Sequence, residues 1–579
     1  MSWVQQTLVS LLLLAAAPSV LGQTNATNES DIAPVINMDA GSFHTVVIIE
    51  DSGVNVVKAW GANGKGQLGL NDTKDRGDTD GDVGDLLPEV NVGNGLQATM
   101  VTAGLRHTAA ILNDNTVRAW GYNAKGQLGI GTNESVGDER NEMGDYLSTT
   151  NLGDTVPTHI TAGGWHTCAI MEGNQLKCWG YNQWGELGLE DKEDRGDEPG
   201  EMGNQLPFVD FGEGMEVASV SLGDWHTCAV LTTGELVCFG KNSAGQLGLG
   251  NTEHRGDEDS EMGYNNRVNF GGQIVTSVSC GEEHTCAILE GGELRCWGLG
   301  LDGQLGQGST ESLGDDPNEM ESLAAIDLGT GRTAVQVSAG GNHTCALLDD
   351  GQVKCWGSNG FGELGQGDTM DRGNSPGQMG DSLDPIEFRS GWEILSISIG
   401  YDHSCALVDP DDGAPSALCW GANYKGQLGL GLTEAVNIGD EEGEMGENLE
   451  LVNLGGVMED EEDDKFYQQI WFYIVMAIGV LLCLCFCFLI VRSHSDGSGA
   501  SIERPVAGKH AESSDVEDGD PKATPPLGRP HSYTANRSKD NEGSSPAEGI
   551  EIEEGGGSRT AAGSPTADPS SESAKKDSP

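Results

Sequence analysis

The chain has 579 residues, with 91 acidic against 31 basic side chains and a formal net charge of -60. Such a chain repels the phosphates of nucleic acid, which excludes direct DNA or RNA binding. Its 87 glycines suit many tight turns rather than long helices.

Residues 1–22 read as a secretory signal. Leu8 to Ala17 form a short apolar core and Val20-Leu21-Gly22 a small-residue cleavage site, although no Lys or Arg precedes the core. A polar linker, 23–34, follows. From 35 to 456 one pattern recurs seven times. It is marked by His44, His107, His166, His226, His284, His343 and His403, spaced 58 to 63 residues apart. Each histidine heads an apolar run, then a polar turn, a Trp-Gly or Phe-Gly step and G-Q/E-L-G, as in Gly66–Gly69 and Gly185–Gly188. A fixed period of this length means stacked or radially arranged units. Unit six shows the expected content: strands at Val335–Ser338, His343–Leu348 and Val353–Trp356, with a turn at Asp349-Asp350-Gly351. A fourth strand of the type Leu206–Phe211 follows in each unit. Seven four-stranded antiparallel units predict an all-β seven-bladed propeller. The first unit begins at its inner strand, Val35–Met38. The last ends with a spare strand, Leu449–Leu454, expected to complete the first blade and leave no open edge.

The pattern A-G-x-x-H-T-x-A-[IVL]…W-G-x-N-x-x-G-Q-L-G resembles the repeat of the regulator of chromosome condensation family, over about 420 of the 579 residues. The resemblance implies the propeller fold. The family's founding member is a nuclear exchange factor for a small GTPase and many others are binding scaffolds, so the resemblance leaves the function open.

Residues 457–469 form an acidic stalk. Ile470–Val491 is a run of 22 apolar or small residues without a charge, long enough to span a bilayer, with Trp471 and Tyr473 near its start and Arg492 just after it. Together with the signal this predicts a single-pass type I membrane protein, propeller outside or lumenal and tail cytoplasmic. The tail, 492–579, is rich in Ser, Pro, Gly and Glu and is expected to be disordered. Ser545 and Ser564, each followed by Pro, are candidate phosphorylation sites.

Cysteines carry the sharpest chemistry. Cys168 and Cys178, Cys228 and Cys238, Cys286 and Cys296, and Cys345 and Cys355 stand ten apart; Cys405 and Cys419 stand fourteen apart. Each pair flanks one hairpin turn. Units one and two lack both members together: Val46 with Ala59, and Ala109 with Ala119. Joint presence or absence predicts five intra-blade disulfides in an oxidising compartment. Zinc is disfavoured because the spacing suits a hairpin. Cys280 is unpaired and reads as a small buried residue. Cys483, Cys485 and Cys487 read as packing residues of the span, with S-palmitoylation as the alternative.

One histidine per blade at identical register reads as a structural hydrogen-bonding group, and no catalytic set stands out from the repeated background. A second repeated element carries acidic pairs such as Asp78/Asp82, Asp138/Glu142 and Asp197/Glu201, replaced in unit six by Asn374/Gln378. Loss of charge with retention of acceptor oxygens favours loop-tying bonds to backbone amides, with calcium as the alternative cofactor and none otherwise expected. Arg76-Gly77-Asp78, Arg195-Gly196-Asp197 and Arg255-Gly256-Asp257 spell an integrin-type tripeptide, read as a by-product of the repeat. Asn25, Asn28, Asn71 and Asn133 head sequons predicted to carry glycans; Asn342 heads another, crowded by its neighbouring histidine.

Variation between units marks the working face. The residue before the histidine runs Phe43, Arg106, Trp165, Trp225, Glu283, Asn342, Asp402; the residue before G-Q/E-L-G runs Lys65, Lys125, Trp184, Ala244, Asp302, Phe361, Lys425. Trp165, Trp184, Trp225 and Phe361 are the candidate partner contacts. The expected function is noncatalytic recognition of an extracellular or lumenal protein or glycan. The competing expectation is guanine-nucleotide exchange on a small GTPase; an enzyme using the acidic loops ranks third.

Overall fold

The apolar run after each histidine becomes the middle strand of a three-stranded antiparallel sheet. In blade 3 the strands are Pro157–Ala162, His166–Met171 and Gln175–Gly180, in spatial order. Every residue of His166–Met171 is buried, because another blade covers each face of the sheet. That is why the run is continuously apolar instead of alternating. The described residues of this computed structural model are 34–455, excepting 80, 411–413 and 433–435. They hold seven antiparallel sheets, one per repeat. The inner strand of every blade carries a register shift, for example between Pro157 and His159, which adds local twist where the strands crowd the axis.

Apolar side chains of adjacent blades interlock. Cys168, Ile170 and Leu176 of blade 3 pack with Val217, Val220 and Phe239 of blade 4. The ring closes in the same way: Val35, Val47 and Trp60 of blade 1 share a cluster with Ala417, Cys419 and Leu428 of blade 7.

The five cysteine pairs fall where the hairpins predict. Cys168 faces Cys178, Cys228 faces Cys238, Cys286 faces Cys296, Cys345 faces Cys355 and Cys405 faces Cys419, each a direct cross-strand pair of the middle and outer strands. Their Cα atoms stand 4.0 Å apart for Cys286 and Cys296 and 4.1 Å apart in the other four pairs, with the sulfurs at bonding distance, a disulfide-compatible arrangement in every case.

Two expectations are corrected. Six sheets have three strands, and only blade 2 adds a fourth, Thr149–Thr150, against Val117 and Arg118. Elsewhere the fourth segment docks on the outer strand largely through one amide, as Val90 to the Val57 carbonyl and Val209 to the Leu176 carbonyl. Blades 1, 3 and 6 place Pro88, Pro207 and Pro385 in that segment, where a ladder needs an N–H that proline lacks. The C-terminal segment also does not complete blade 1. The Val452 amide bonds the Ala417 carbonyl of its own blade 7. Its end then reaches across the seam, where Lys58 Nζ donates to the Leu454 carbonyl and the Gly84 amide to the Asn453 carbonyl.

The signal segment, the linker up to residue 33, the stalk, the 470–491 span and the tail lie outside the described residues, as do Asn25, Asn28, Cys483, Cys485 and Cys487. Among the described residues no helix is long and apolar enough to cross a membrane. The helices are single turns, such as Glu319–Ser322.

Candidate recognition face

The scaffold beneath the face is a girdle of side chains crossing every seam. His44 Nε2 lies 2.8 Å from Thr108 Oγ1 of the next blade, and the contact repeats through His107–Thr167, His166–Thr227, His226–Thr285, His284–Thr344 and His343–Ser404 to His403–Thr45, which closes the circle. Thr108 Oγ1 spends its proton on the Gln67 carbonyl at 2.7 Å, so it accepts from the ring and His44 is the Nε2–H tautomer. The Gln67 carbonyl also accepts Trp120 Nε1–H at 3.0 Å. Burial pushes the ring of His166 down to about 3 and that of His284 to about 4, so the girdle is neutral. Blade 4 has Phe239 in place of the tryptophan, so of this pair of donors the Glu186 carbonyl receives only the Thr227 hydroxyl.

Two glycines position the loops above the girdle. The glycine of each Trp-Gly step has positive φ, 103° at Gly61, and a Cβ there would come within 2.5 Å of the Phe43 carbonyl. The first glycine of G-Q-L-G, Gly66, lets the Asp138 amide of the next blade approach; a Cβ would stand 2.4 Å from it. The Tyr122 amide bonds the Arg106 carbonyl and the Tyr181 amide the Trp165 carbonyl, so the diversified loops of each blade gather at one end of the ring.

There the predicted contacts fall into separate groups. Trp165 and Trp225 stack at 5.6 Å with 24° between their planes, and the rings of Tyr122 and Tyr181 meet them edge-on, each at 5.6 Å. Lys125 lies 5.1 Å over Tyr181, Lys65 5.4 Å over Tyr122 and Lys241 5.8 Å over Trp225. Trp184 stands apart, against His254 at 4.7 Å. The three tryptophans are half-buried rather than fully exposed, because they pack on these neighbours. Phe361 belongs to a second cluster across the ring with Tyr424, Phe43 and Tyr401. Tyr424 and Leu301, 40% and 62% exposed, belong to the same diversified loops, each two positions before the first glycine of G-Q-L-G in its blade.

Between the clusters lies an acidic channel mouth that the sequence reading missed. A cavity of about 160 Å³ opens among Asp39, Asp224, Glu282 and Tyr401. Burial lifts Asp224 to about 7 and Asp402 to about 6, with nearby Glu282 adding to both shifts. Tyr401 donates to Glu282 at 2.7 Å and Tyr424 to Asp402 at 3.0 Å, while Lys241 pairs with Glu283. Asp39 accepts from Thr102 Oγ1 and the Ala103 amide, both at 2.9 Å. The signal for the lining residues was available: Asp224, Glu282 and Tyr401 each stand two positions before a marker histidine, and Asp39 is next to last in its inner strand.

The other predicted groups sit elsewhere. The cysteine pairs lie within their own blades, Cys296 and Cys355 on the outer strands beside Trp297 and Trp356, and each is fully buried beneath the face. In the acidic loops, Glu142 Oε2 accepts the Gly137 and Glu139 amides and Glu201 Oε2 the Gly196 and Glu198 amides. Gln378 Oε1 keeps the corresponding bond to Ser375. Arg76 and Arg195 pair with Asp72 and Asp191 of their own loops, which ties down the tripeptide arginines. Asn71 Oδ1 accepts the Glu142 and Met143 amides, and Asn133 is exposed.

The RCC1-like domain profile matches residues 14–335, more than half of the chain, and the regulator of chromosome condensation (RCC1) repeat matches 334–363, 394–427 and 350–407. The chain belongs to the RCC1 family. Among curated relatives it is 29% identical over 431 residues to the ultraviolet-B receptor UVR8 of Arabidopsis thaliana, covering 72% of this chain and 86% of that one. It is 27% identical over 394 residues to the mitochondrial RCC1 domain-containing protein RUG3 of the same plant, covering 67% and 80%. Human WBSCR16 shares the RCC1 propeller fold at a TM-score of 0.50 and 19% identity, over 64% of this chain and 86% of that structure.

Proposed function

We propose that this RCC1-family propeller is a noncatalytic recognition module that holds a protein or glycan partner on the face carrying Trp165 and Trp225. The carrying observation is the contrast within each repeat: a seven-fold girdle of nearly invariant contacts supports loops that differ in every blade and gather two aromatic clusters around a charged mouth. Large rings beside paired charges are the residues that dominate binding energies at protein interfaces. A photo-crosslinker placed at Trp225 should capture the partner, and one at Val335 should not; equal capture at both positions overturns the assignment of the face.

We further read the propeller as extracellular or lumenal, anchored by 470–491 with a cytoplasmic tail. The joint gain or loss of both cysteines in each blade supports an oxidising compartment. The family's founding activity, nucleotide exchange on a small GTPase, favours the rival reading and requires the propeller in the nucleus or cytosol. Protease digestion of sealed microsomes separates the two: a protected propeller supports the receptor reading, and a digested one supports the rival.

A further inference from the structure

Cys280 is the one unpaired thiol among the described residues, and it is buried. It ends the inner strand of blade 5, Val275–Cys280, where blades 1, 2, 3 and 6 carry Ala40, Ala103, Ala162 and Ala339. Packing therefore does not demand sulfur at this position. The residue reaches across the seam to blade 4: its amide donates to Ser221 Oγ at 3.0 Å and its thiol lies 3.4 Å from the Ser221 carbonyl oxygen. There its sulfur, Cys228 Sγ and a ring nitrogen of His226 lie within 4.8 Å of one another. Cys228 is also the cross-strand partner of Cys238.

We propose that Cys228, Cys238 and Cys280 form an internal exchange set, in which Cys280 displaces Cys238 and converts the within-blade bridge into a bridge across the seam between blades 4 and 5. The inference rests on the oxidising compartment read above. Cys280 gives up its proton, and its thiolate attacks Cys228 Sγ. The Cys228–Cys280 bond forms as the Cys228–Cys238 bond breaks. The electron pair leaves on the Cys238 sulfur, which takes up a proton, so the step needs no external oxidant or reductant.

Two features set the consequence and the trigger. The seam bridge closes a far longer loop than the ten-residue separation of the hairpin bridge, so once formed it restrains the unfolded chain more and makes the closed ring harder to unfold. Burial pushes the Cys280 thiol up to about 12, which keeps it protonated while the seam is closed. Exchange therefore waits for partial opening of a seam that is otherwise noncovalent, held by His226 on Thr285 and by Trp297 Nε1 on the Gln246 carbonyl. The product is a covalent clasp that locks the two blades after such an opening.

The test uses the full-length protein at mildly alkaline pH in urea below its unfolding midpoint, quenched with N-ethylmaleimide and digested without reduction. The Cys228–Cys280 peptide, with the label on Cys238, should rise from trace to the main linked species. In Cys280→Ala, which places the residue of four other blades there, Cys228–Cys238 should stay linked throughout. Cys238→Ala should form Cys228–Cys280 during folding. If Cys280 takes the label while Cys228 remains linked only to Cys238, the exchange is wrong and the compartment stands. If Cys228 and Cys238 are both labelled in untreated protein, the compartment reading fails and the exchange fails with it.

Discussion

The girdle and the rim are a few residues apart in every repeat, yet repetition treats them in opposite ways. His166 repeats in all seven blades, while Trp165 beside it is Phe43, Arg106, Trp225, Glu283, Asn342 and Asp402 elsewhere. The difference follows from what each side chain touches. A girdle histidine meets a threonine of the next blade in six seams and a serine in the seventh, so one change breaks a contact that every seam solves with the same chemistry. A rim residue meets solvent and other rim side chains, so each blade is free to differ. Stability should therefore reside in the girdle and affinity in the rim.

The sharpest way to break that division is His166→Ala. It removes a fully buried ring and leaves Thr227 without its donor, and should cost about 2–4 kcal/mol in urea unfolding. No measurable loss would mean that the girdle is not what holds the seams.

Next comes Glu186→Gln, which restores the amide found at Gln67, Gln127 and Gln246. Glu186 is buried, accepts the Trp184 amide at 2.9 Å, leaves Oε1 unbonded, and is pushed by burial from 4.5 to about 8. Its folded value lies above its unfolded one, so the folded state holds the proton longer and the carboxyl costs stability increasingly as pH rises from about 4.5 to about 8. The substitution should raise stability by on the order of 2 kcal/mol above that window and by almost nothing below it. A gain independent of pH would show that the charge is not the cause.

A smaller effect is expected of Trp297→Phe, which copies Phe239 of blade 4 and deletes the bond to the Gln246 carbonyl, at about 1 kcal/mol. The smallest change in stability should come from the rim. Trp165→Ala with Trp225→Ala removes a stacked pair worth about 1 kcal/mol, yet should weaken partner binding at least about tenfold in a titration. Unchanged affinity would move the contact to the Phe361–Tyr424 cluster or off this face.

Much of this was legible in the residues. The period, the strand after each histidine and the cross-strand placement of Cys168 and Cys178 follow from local spacing, because a hairpin joins residues close in sequence. The structural role of the histidines was legible too, but not their partners, since Thr227 lies 61 residues beyond His166 across a seam. The docking of Leu449–Leu454 on its own blade was misread, because a spare strand at the end of a ring suits either edge. Phe361 was grouped with tryptophans it does not meet. The acidic mouth was missed, because Asp224, Glu282 and Asp402 come from three blades.

By itself the sequence determined that seven sheets form and where each turns, since alternation, turn residues and period act within one repeat. Tertiary structure alone decided what crosses the seams: which carbonyl each threonine meets, which aromatic rings share a cluster, and that Cys280 comes to lie beside Cys228. Those contacts join residues of different repeats, about forty positions apart or more, and only closing the ring sets the distances between them.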